Sequence, residues 1–476
     1  MQHKTNTGGL LLGLVLGLTL FSCRVGRDYR RPELQLPDHY RHAPVTTYGD
    51  TAGIAALEWR KFFTDTTLQG LIAKGIRYNY DLQLAVERIA AAEQRLKAAR
   101  LAGLPQADLQ IGAQYNHPSK NSLNGMSAGS VLHSDHLEDY NASAGISWEA
   151  DIWGKIRRQK EIARTQYLQT HEAKKAVQSR LVSDIARGFY QLLMLDKQLK
   201  IARQNLALSD NTLKLTRLLR DAGEATTLSV QQTEAQQKAI AALIPQLEQG
   251  IALQENALQL LTGQFPGTVA RTVNLSDITI PDFLPAGLPV ALVSRRPDVR
   301  SAEMDVIVAN AAVGIRQAEM YPSLSISAEG GVNALKASSW FTLPGSLFGV
   351  VTGGITQPLF DRRRLKTDYA VAKIEREQSV TAFRQTVLQA VTEVSDALIK
   401  TDKLRQQEKT AAEQVAILKK AISNAQQLYK NAMANYLEVI SAQSSALQAQ
   451  LDLADIRSRE LSAAADLYMA LGGGWR

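Results

Sequence analysis

The chain contains 476 residues, of which 45% are hydrophobic, 21% charged and 6% aromatic, and it carries a formal net charge of +8. This balance excludes a chain that is disordered by composition and a helical membrane protein, and it favours long helices. The basic residues are spread along the sequence without an interleaved aromatic block, so the sequence predicts no nucleic-acid partner.

The N-terminus has the features of a lipoprotein signal. A basic residue precedes an apolar run from Gly9 to Phe21 that is too short to span a bilayer, and Cys23, the only cysteine, follows. The stretch from Leu20 to Cys23 resembles a bacterial lipobox, in which the cysteine is acylated. We expect a signal peptide over residues 1–22 and a lipid anchor on Cys23. The alternative is an ordinary signal peptide with a chance cysteine.

Four short segments are predicted as β-strands: three alternate apolar residues with small or polar ones, and the last is rich in glycine and valine. They are residues 107–116, 141–148, 323–332 and 348–357. No segment after Cys23 is apolar enough for a spanning helix, so any crossing of a membrane must use strands of a closed barrel. Four strands cannot close a barrel, which predicts an oligomer: two copies would supply eight strands and three copies twelve.

The helical segments are unusually long. Residues 154–220 contain no proline, and residues 359–471 contain neither glycine nor proline. Apolar and small residues recur there at the 4-3 spacing of a coiled-coil seam, and 60 helical residues extend about 90 Å. Breaks at residues 221–224 and 431–435 predict that each long helix turns back. We expect Thr226 or Thr227 to cap the helix after the first break.

The two halves of the chain share landmarks in the same order at nearly constant separation, which predicts an internal duplication. The landmark pairs are Pro105 and Pro322, Trp153 and Phe360, and Val230 and Val439. The predicted domains are an extension over residues 23–57, repeat one over 58–267, a linker over 268–289 and repeat two over 290–476. The predicted fold class is mixed α and β, mainly α, with a coiled-coil barrel and a strand barrel.

A series of short motifs resembles the outer membrane efflux protein family, the TolC-like outer membrane factors of the NodT lipoprotein type. These motifs occur at residues 23–32, 59–63, 79–82, 148–154, 287–303, 321–324, 358–361, 436–439 and 470–475. The resemblance implies a homotrimer with a 12-stranded barrel in the outer membrane of a Gram-negative bacterium and a helical barrel through the periplasm. It also implies a passive efflux duct with two partners, a periplasmic membrane-fusion adaptor and an inner-membrane resistance-nodulation-division transporter.

The same resemblance assigns roles to the two breaks, which we call the first tip (residues 223–230) and the second tip (residues 432–439). The expected adaptor contacts are Gly223, Glu224, Thr226, Thr227, Leu228, Asn435, Tyr436 and Leu437. The family pattern has glycine at the position of Ala432 and acidic residues near the second tip, where this chain has Ala434 and Asn435. The gate then uses either the apolar residues of the seam or the acidic residues Asp221, Glu224 and Glu438.

Other candidate chemistry is sparse. The sequence from His133 to His136 has metal-like spacing, but its position between two strands favours a solvated loop. No nucleophile is placed beside a base, so we expect neither an enzyme nor a metal or cofactor site. Arg362–Arg364 is interpreted as a solvated face, with contact to anionic lipid as the alternative. Two other functions stay open: a type I secretion duct, and a coiled-coil structural lipoprotein without a pore.

Overall fold

The computed structural model describes residues 25–41, 54, 57–127, 130–131, 134–279, 286–431 and 433–476. Cys23 and Ala432 therefore lie outside the described residues. The elements run in the following order. They are α1 (Trp59–Phe62), α2 (Thr66–Tyr78), α3 (Tyr80–Leu101), β1 (Gln106–Asn116), α4 (Leu123–Ser127), β2 (Leu137–Ala150), α5 (Lys155–Asp221), α6 (Thr227–Leu261), α7 (Pro289–Arg295), α8 (Pro297–Ala318), β3 (Ser323–Ala334), β4 (Leu347–Thr356), α9 (Arg364–Lys430) and α10 (Tyr436–Ala470). Short 3-10 helices occupy Leu275–Asp277 and Ala337–Ser339.

Contacts divide the chain into two compact units. The described residues of Met1–Pro32, Ala90–Leu168 and Glu303–Thr381 form the first unit. The second unit comprises those of Glu33–Ile89, Gln169–Ala302 and Ala382–Arg476. In the described part of the chain, no helix combines the length and the apolarity needed to span a membrane.

The first unit contains a four-stranded antiparallel sheet in the order β1-β2-β3-β4. All four predicted strands are confirmed; β2 begins earlier than expected because Leu137–Tyr140 pairs with the last residues of β1. Directly paired residues share a face, so the register separates two sets of side chains. One face carries Leu109, Ile111, Tyr115, Tyr140, Ile146, Trp148, Leu324, Ile326, Val332, Leu347, Val351 and Ile355. The other carries mainly Gln, Ser, Asn, Gly, Thr and acidic residues.

No described residue covers the apolar face of the sheet. The side chains of Leu109 and Val351 are 76% and 79% exposed, and Ile111 and Ile355 are exposed to a similar degree. A single copy of this protein in water would leave a continuous apolar surface of several strands, which is typical of a surface that meets lipid or another chain.

The second unit is built mainly from long helices, two of which begin in the first unit. The helices α5 and α9 each contain 67 residues, and α6 and α10 each contain 35. The predicted seam of α5, from Leu181 to Thr216, consists of buried or half-buried residues throughout. Ile201, Ile240 and Leu447 form an apolar cluster there, and Leu206, Leu243 and Leu451 pack against it. The 4-3 spacing therefore identified the faces that pack.

Arg296 holds the start of α8 in the second unit. It is 8% exposed and donates to both carboxylate oxygens of Asp298 at 3.0 and 2.6 Å. It also donates to Glu393 of α9 at 2.7 Å and to the Ala470 carbonyl of α10 at 3.0 Å. Burial disfavours the charged carboxylate of Asp298, but the Arg296 guanidinium outweighs it and holds the pKa of Asp298 below its usual value. One side chain thus joins three helices.

We expect Arg296→Ala to destabilise the fold by about 3 kcal/mol. This value is at the low end of the range for breaking a buried ion pair, because the carboxylates of Asp298 and Glu393 are partly exposed. Thermal unfolding followed by circular dichroism measures this change. The control is Arg180→Ala, which removes an arginine whose side chain is 81% exposed and should cost under about 1 kcal/mol. Equal losses in the two variants would contradict the role of Arg296.

The same pair predicts a dependence of stability on pH. Because the folded-state pKa of Asp298 is lowered, its contribution is complete above the unfolded pKa of about 3.9 and is lost as the pH falls through the folded value. The loss of stability on acidification should therefore be smaller in Arg296→Ala than in the wild-type protein.

Candidate functional site

The first tip is a closed helical turn. Helix α5 ends at Asp221, and Gly223 takes a φ of +82°, a conformation that glycine adopts without a steric penalty. The Gly223 amide donates to the Arg220 carbonyl at 2.9 Å, and the Glu224 amide donates to the Leu219 carbonyl at 2.8 Å. This pair of bonds is the Schellman arrangement, which satisfies the last carbonyls of α5 and reverses the chain.

The helix after the first tip has one cap. Thr226 is the N-cap of α6, and its hydroxyl accepts from the Ser229 amide at 3.1 Å. The two hydroxyls of Thr226 and Ser229 also share a hydrogen bond of 2.8 Å. Thr227 is the first helical residue, so the expectation that it could act as a cap is wrong. Thr227 lies within the first turn of α6, and the cap of that turn is formed by Thr226.

The second tip uses asparagine in the same way. The Asn435 side chain accepts from the amides of Leu437 and Glu438 at 2.9 and 3.2 Å. The Met433 amide donates to the Leu428 carbonyl at 2.8 Å, which matches the bond between Glu224 and Leu219 at the first tip. The Tyr436 hydroxyl donates to the Gln232 side chain of α6, so the structure brings the beginnings of α6 and α10 together.

Each tip leaves an apolar residue in solvent at an equivalent position. Leu228 is 56% exposed and Leu437 is 57% exposed, two residues after the respective N-caps. Both positions were expected to contact a partner. Both side chains are therefore accessible to a partner.

The three expected gate acids are all exposed. Asp221 pairs with Arg220 at 2.6 Å, so its charge is partly neutralised within its own chain. Glu224 and Glu438 have no ion-pair partner among the described residues. The described parts of the chain contain no group of three or more potential metal-ligating side chains. The site therefore consists of exposed carboxylates around two turns.

Buried polar contacts lie behind the tips, and the sequence analysis did not find them. The Tyr429 hydroxyl of α9 donates to Thr216 of α5 at 3.1 Å, and both residues are buried. The Gln443 amide of α10 donates to the Thr212 hydroxyl at 2.8 Å. The sequence did contain a signal for these contacts, because Ser209, Thr216 and Tyr429 occupy positions of the seam where apolar residues are usual. Hydrogen bonds at such positions fix the relative register of helices.

Comparisons with known proteins agree with this geometry. The sequence model of the family described as "Outer membrane efflux protein" matches residues 71–264 and 288–473. The cation efflux system protein CusC of Escherichia coli O6:H1 (strain CFT073) is 27% identical over 98% of this chain and 99% of its own length. The probable outer membrane lipoprotein SilC of Salmonella typhimurium is 26% identical over 94% and 95%. The solved structure of the outer-membrane channel OprN superposes with a TM-score of 0.84, 26% identity, and coverage of 95% of this chain and all of that one.

A sheet with one apolar and one polar face, followed by very long helices, defines an outer-membrane channel protein. The chain belongs to the outer membrane efflux protein family. It is located in the outer membrane of a Gram-negative bacterium, as its relatives are. The resemblance found in the sequence motifs is confirmed, and the family comprises channel proteins rather than enzymes.

We expect Thr226→Ala to loosen the first turn of α6. Loss of an N-cap costs about 1 kcal/mol, which corresponds to roughly fivefold faster hydrogen exchange in that turn. Exchange of residues 227–233 measured by mass spectrometry reports this change. The neighbouring Thr227→Ala is the matched control, because Thr227 caps nothing and its exchange should stay near that of the wild type. Equal acceleration by both substitutions would contradict the assignment of the cap.

Proposed function

We propose that this protein is the passive outer-membrane duct of a tripartite efflux system, through which an inner-membrane pump drives its substrates. The observation that carries the proposal is the sheet, whose exposed apolar face and polar opposite face suit lipid on one side and water on the other. The strands β2 and β4 are followed directly along the chain by the 67-residue helices α5 and α9.

The finer proposal is a homotrimer with a 12-stranded barrel. The strands β1 and β4 are the edges of the sheet, and their outer backbone groups lack strand partners among the residues that the structure describes. Unpaired edges are not tolerated in lipid, so neighbouring copies must pair them. Three copies leave a lumen wide enough for water, whereas eight strands would be filled by side chains. Aromatic residues at both ends of the sheet, including Tyr140, Trp340, Trp148 and Tyr321, support an interfacial belt on each side.

The internal duplication is part of the same proposal. Equal helix lengths support it, because α5 matches α9 and α6 matches α10. Each half also contributes two strands and one tip. The domain limits at residues 58–267 and 290–476, with the linker 268–289 between them, stay predictions on this basis.

The lipid anchor on Cys23 stays a proposal because Cys23 lies outside the described residues. The naming of SilC as a probable lipoprotein supports it. The residues that follow are held on α8, since Tyr29 and Arg31 bond to Glu303 at 2.9 and 2.6 Å. The Asn310 side chain also donates to the Arg27 carbonyl at 3.0 Å. An acylated Cys23 would therefore tether the protein close to a fixed point of its fold.

The proposed partners dock at the tips. A periplasmic membrane-fusion adaptor would contact Gly223, Glu224, Thr226, Thr227, Leu228, Asn435, Tyr436 and Leu437, and would connect the duct to a resistance-nodulation-division transporter. The exposed Leu228 and Leu437 support a protein contact there. The type I secretion system is the alternative partner, and the genes beside the coding sequence would distinguish the two. Energy comes from the pump, so the duct needs no cofactor and no catalytic group.

The function is tested on the purified full-length protein. We expect a trimer that resists detergent and dissociates on heating, together with discrete single-channel currents in planar bilayers. A structural lipoprotein without a pore would give no such currents, which would contradict the duct. A stable oligomer with conductance but without twelve strands per assembly would contradict the proposed barrel alone.

The gate is tested by reversing charge at the tips. Asp221→Lys, Glu224→Lys and Glu438→Lys should each lower cation conductance, because a fixed positive charge at a constriction repels permeating cations. Single-channel recording in potassium chloride measures this change. The matched control is Glu413→Lys, an exposed residue of α9 remote in sequence from the tips. Conductance that is unchanged in all three tip variants would exclude these residues as the gate.

The barrel itself should prefer cations. The charged residues on the polar face of the sheet are all acidic: Asp108, Asp139, Glu149 and Glu329. Asp108 and Glu329 both pair with Gly145, which places them at one level. In a trimer they would form a ring of carboxylates, and such rings select cations.

We expect Asp108→Asn with Glu329→Gln to reduce the cation-to-anion permeability ratio by about half. Reversal potentials measured across a potassium chloride gradient give that ratio. Glu138→Gln is the control, since Glu138 pairs with Tyr115 on the apolar face of the sheet. A ratio that changes as much in the control as in the double variant would rule out a lumenal carboxylate ring.

A further inference from the structure

The segment between β4 and α9 combines features that the duct does not explain. It reads Leu359-Phe360-Asp361-Arg362-Arg363-Arg364. The side chains of Leu359 and Phe360 are 95% and 90% exposed, and all three arginines are exposed. We refer to residues 359–364 as the rim segment. Two large apolar side chains and three guanidinium groups in solvent form a surface that is both apolar and strongly basic.

The backbone of the rim segment is unusual as well. Arg362 and Arg363 have φ values of +56° and +69°, in the left-handed region that glycine adopts readily and other residues rarely do. Within the described residues these are the only non-glycine residues with positive φ. Glycine would fit both positions with less strain. Two adjacent arginines held there indicate that the side chains have a use outside the fold of the chain.

The charges of the rim segment are not neutralised locally. Arg364 pairs weakly with Asp368 at 3.6 Å, and the Asp361 carboxylate accepts the Leu365 amide at the start of α9. Arg362 and Arg363 have no ion-pair partner among the described residues. Two guanidinium groups are therefore available to bind an anion, and guanidinium groups bind phosphate well.

The rim segment lies at one end of the sheet, beside aromatic residues. The last pair of the sheet joins Thr356 to Ser323, and the Gln357 side chain donates to the Met320 carbonyl at 3.2 Å. At the same end, Trp153 stacks on Tyr321 at 4.7 Å and donates to the Pro322 carbonyl at 2.7 Å. This end is the one from which the long helices leave, so in the proposed duct it faces the periplasm.

We propose that the rim segment binds the headgroups of anionic phospholipids in the periplasm-facing leaflet of the membrane. Leu359 and Phe360 enter the interface between headgroups and acyl chains, where aromatic side chains are favoured. Arg362 and Arg363 bind the phosphate groups beside them. This inference rests on the proposed placement of the sheet in the outer membrane. The occupant is a lipid because the segment combines two exposed apolar side chains with exposed guanidinium groups, the combination that suits the boundary between headgroups and acyl chains.

The test uses the full-length trimer in detergent, titrated with phosphatidylglycerol or with phosphatidylcholine and observed by native mass spectrometry. The wild type should bind phosphatidylglycerol more tightly. Arg362→Gly with Arg363→Gly should weaken that binding roughly 25-fold, since each basic residue beside an anionic surface contributes about fivefold. Glycine is chosen because it relieves the backbone at positive φ, so this variant is expected to fold.

The control is Lys419→Ala with Lys420→Ala, which removes the same charge from an exposed part of α9 and should leave lipid binding within about twofold. A second variant, Phe360→Ser, should weaken binding of both lipids alike, because apolar contact does not distinguish the headgroups.

Several outcomes would overturn the assignment. They are unchanged phosphatidylglycerol binding in the glycine variant, an equal loss in the lysine control, and displacement of the lipid by millimolar inorganic phosphate. A trimer that dissociates while its lipid affinity is retained would show instead that the segment contacts a second copy. Single-channel conductance of the wild type is recorded in parallel. A wild-type protein that does not conduct would contradict the duct, and the lipid site would still be judged by the binding results alone.

Discussion

The edges of the four-stranded sheet constrain the rest of this molecule. The register of the strands places apolar side chains on one face and polar ones on the other, so the sheet suits a boundary between lipid and water. In lipid, the outer backbone groups of β1 and β4 need partners, and the described residues supply none. In the proposed duct, further copies of the chain supply those partners, and the arrangement of the copies determines how the long helices meet.

The helices are held by two kinds of contact with different consequences. The cluster of Ile201, Ile240 and Leu447 buries apolar surface, which stabilises packing without strict direction. The bonds from Tyr429 to Thr216 and from Gln443 to Thr212 are directional and break when the helices shift. Each such bond contributes only about 1 kcal/mol net. Contacts of this kind near the tips therefore set the register of the helices and add little to the stability of the bundle.

Much of the fold could be predicted because its patterns are periodic. Alternation located three of the strands and their faces, and the 4-3 spacing located the buried side of α5. The buried bonds of Thr212 and Thr216 could not be predicted, because a threonine in a seam looks the same whether or not a partner reaches it. The choice between Thr226 and Thr227 as cap also depends on backbone geometry that neither residue type determines. The contacts of Arg296 could not be predicted either, because Glu393 and the Ala470 carbonyl are distant from it in sequence.

The distribution of charge separates two environments within a short stretch of chain. The four strands contain acidic residues but neither lysine nor arginine, whereas three arginines follow β4 within eight residues. A guanidinium group on the polar face would oppose the carboxylates of Asp108 and Glu329 and repel cations from the lumen. In the proposed duct, the same group at the end of the sheet would meet phosphate groups of lipid. Positive charge would then be useful beside the barrel and unfavourable within it, which would account for arginine at Arg362 and Arg363 even though the backbone there favours glycine.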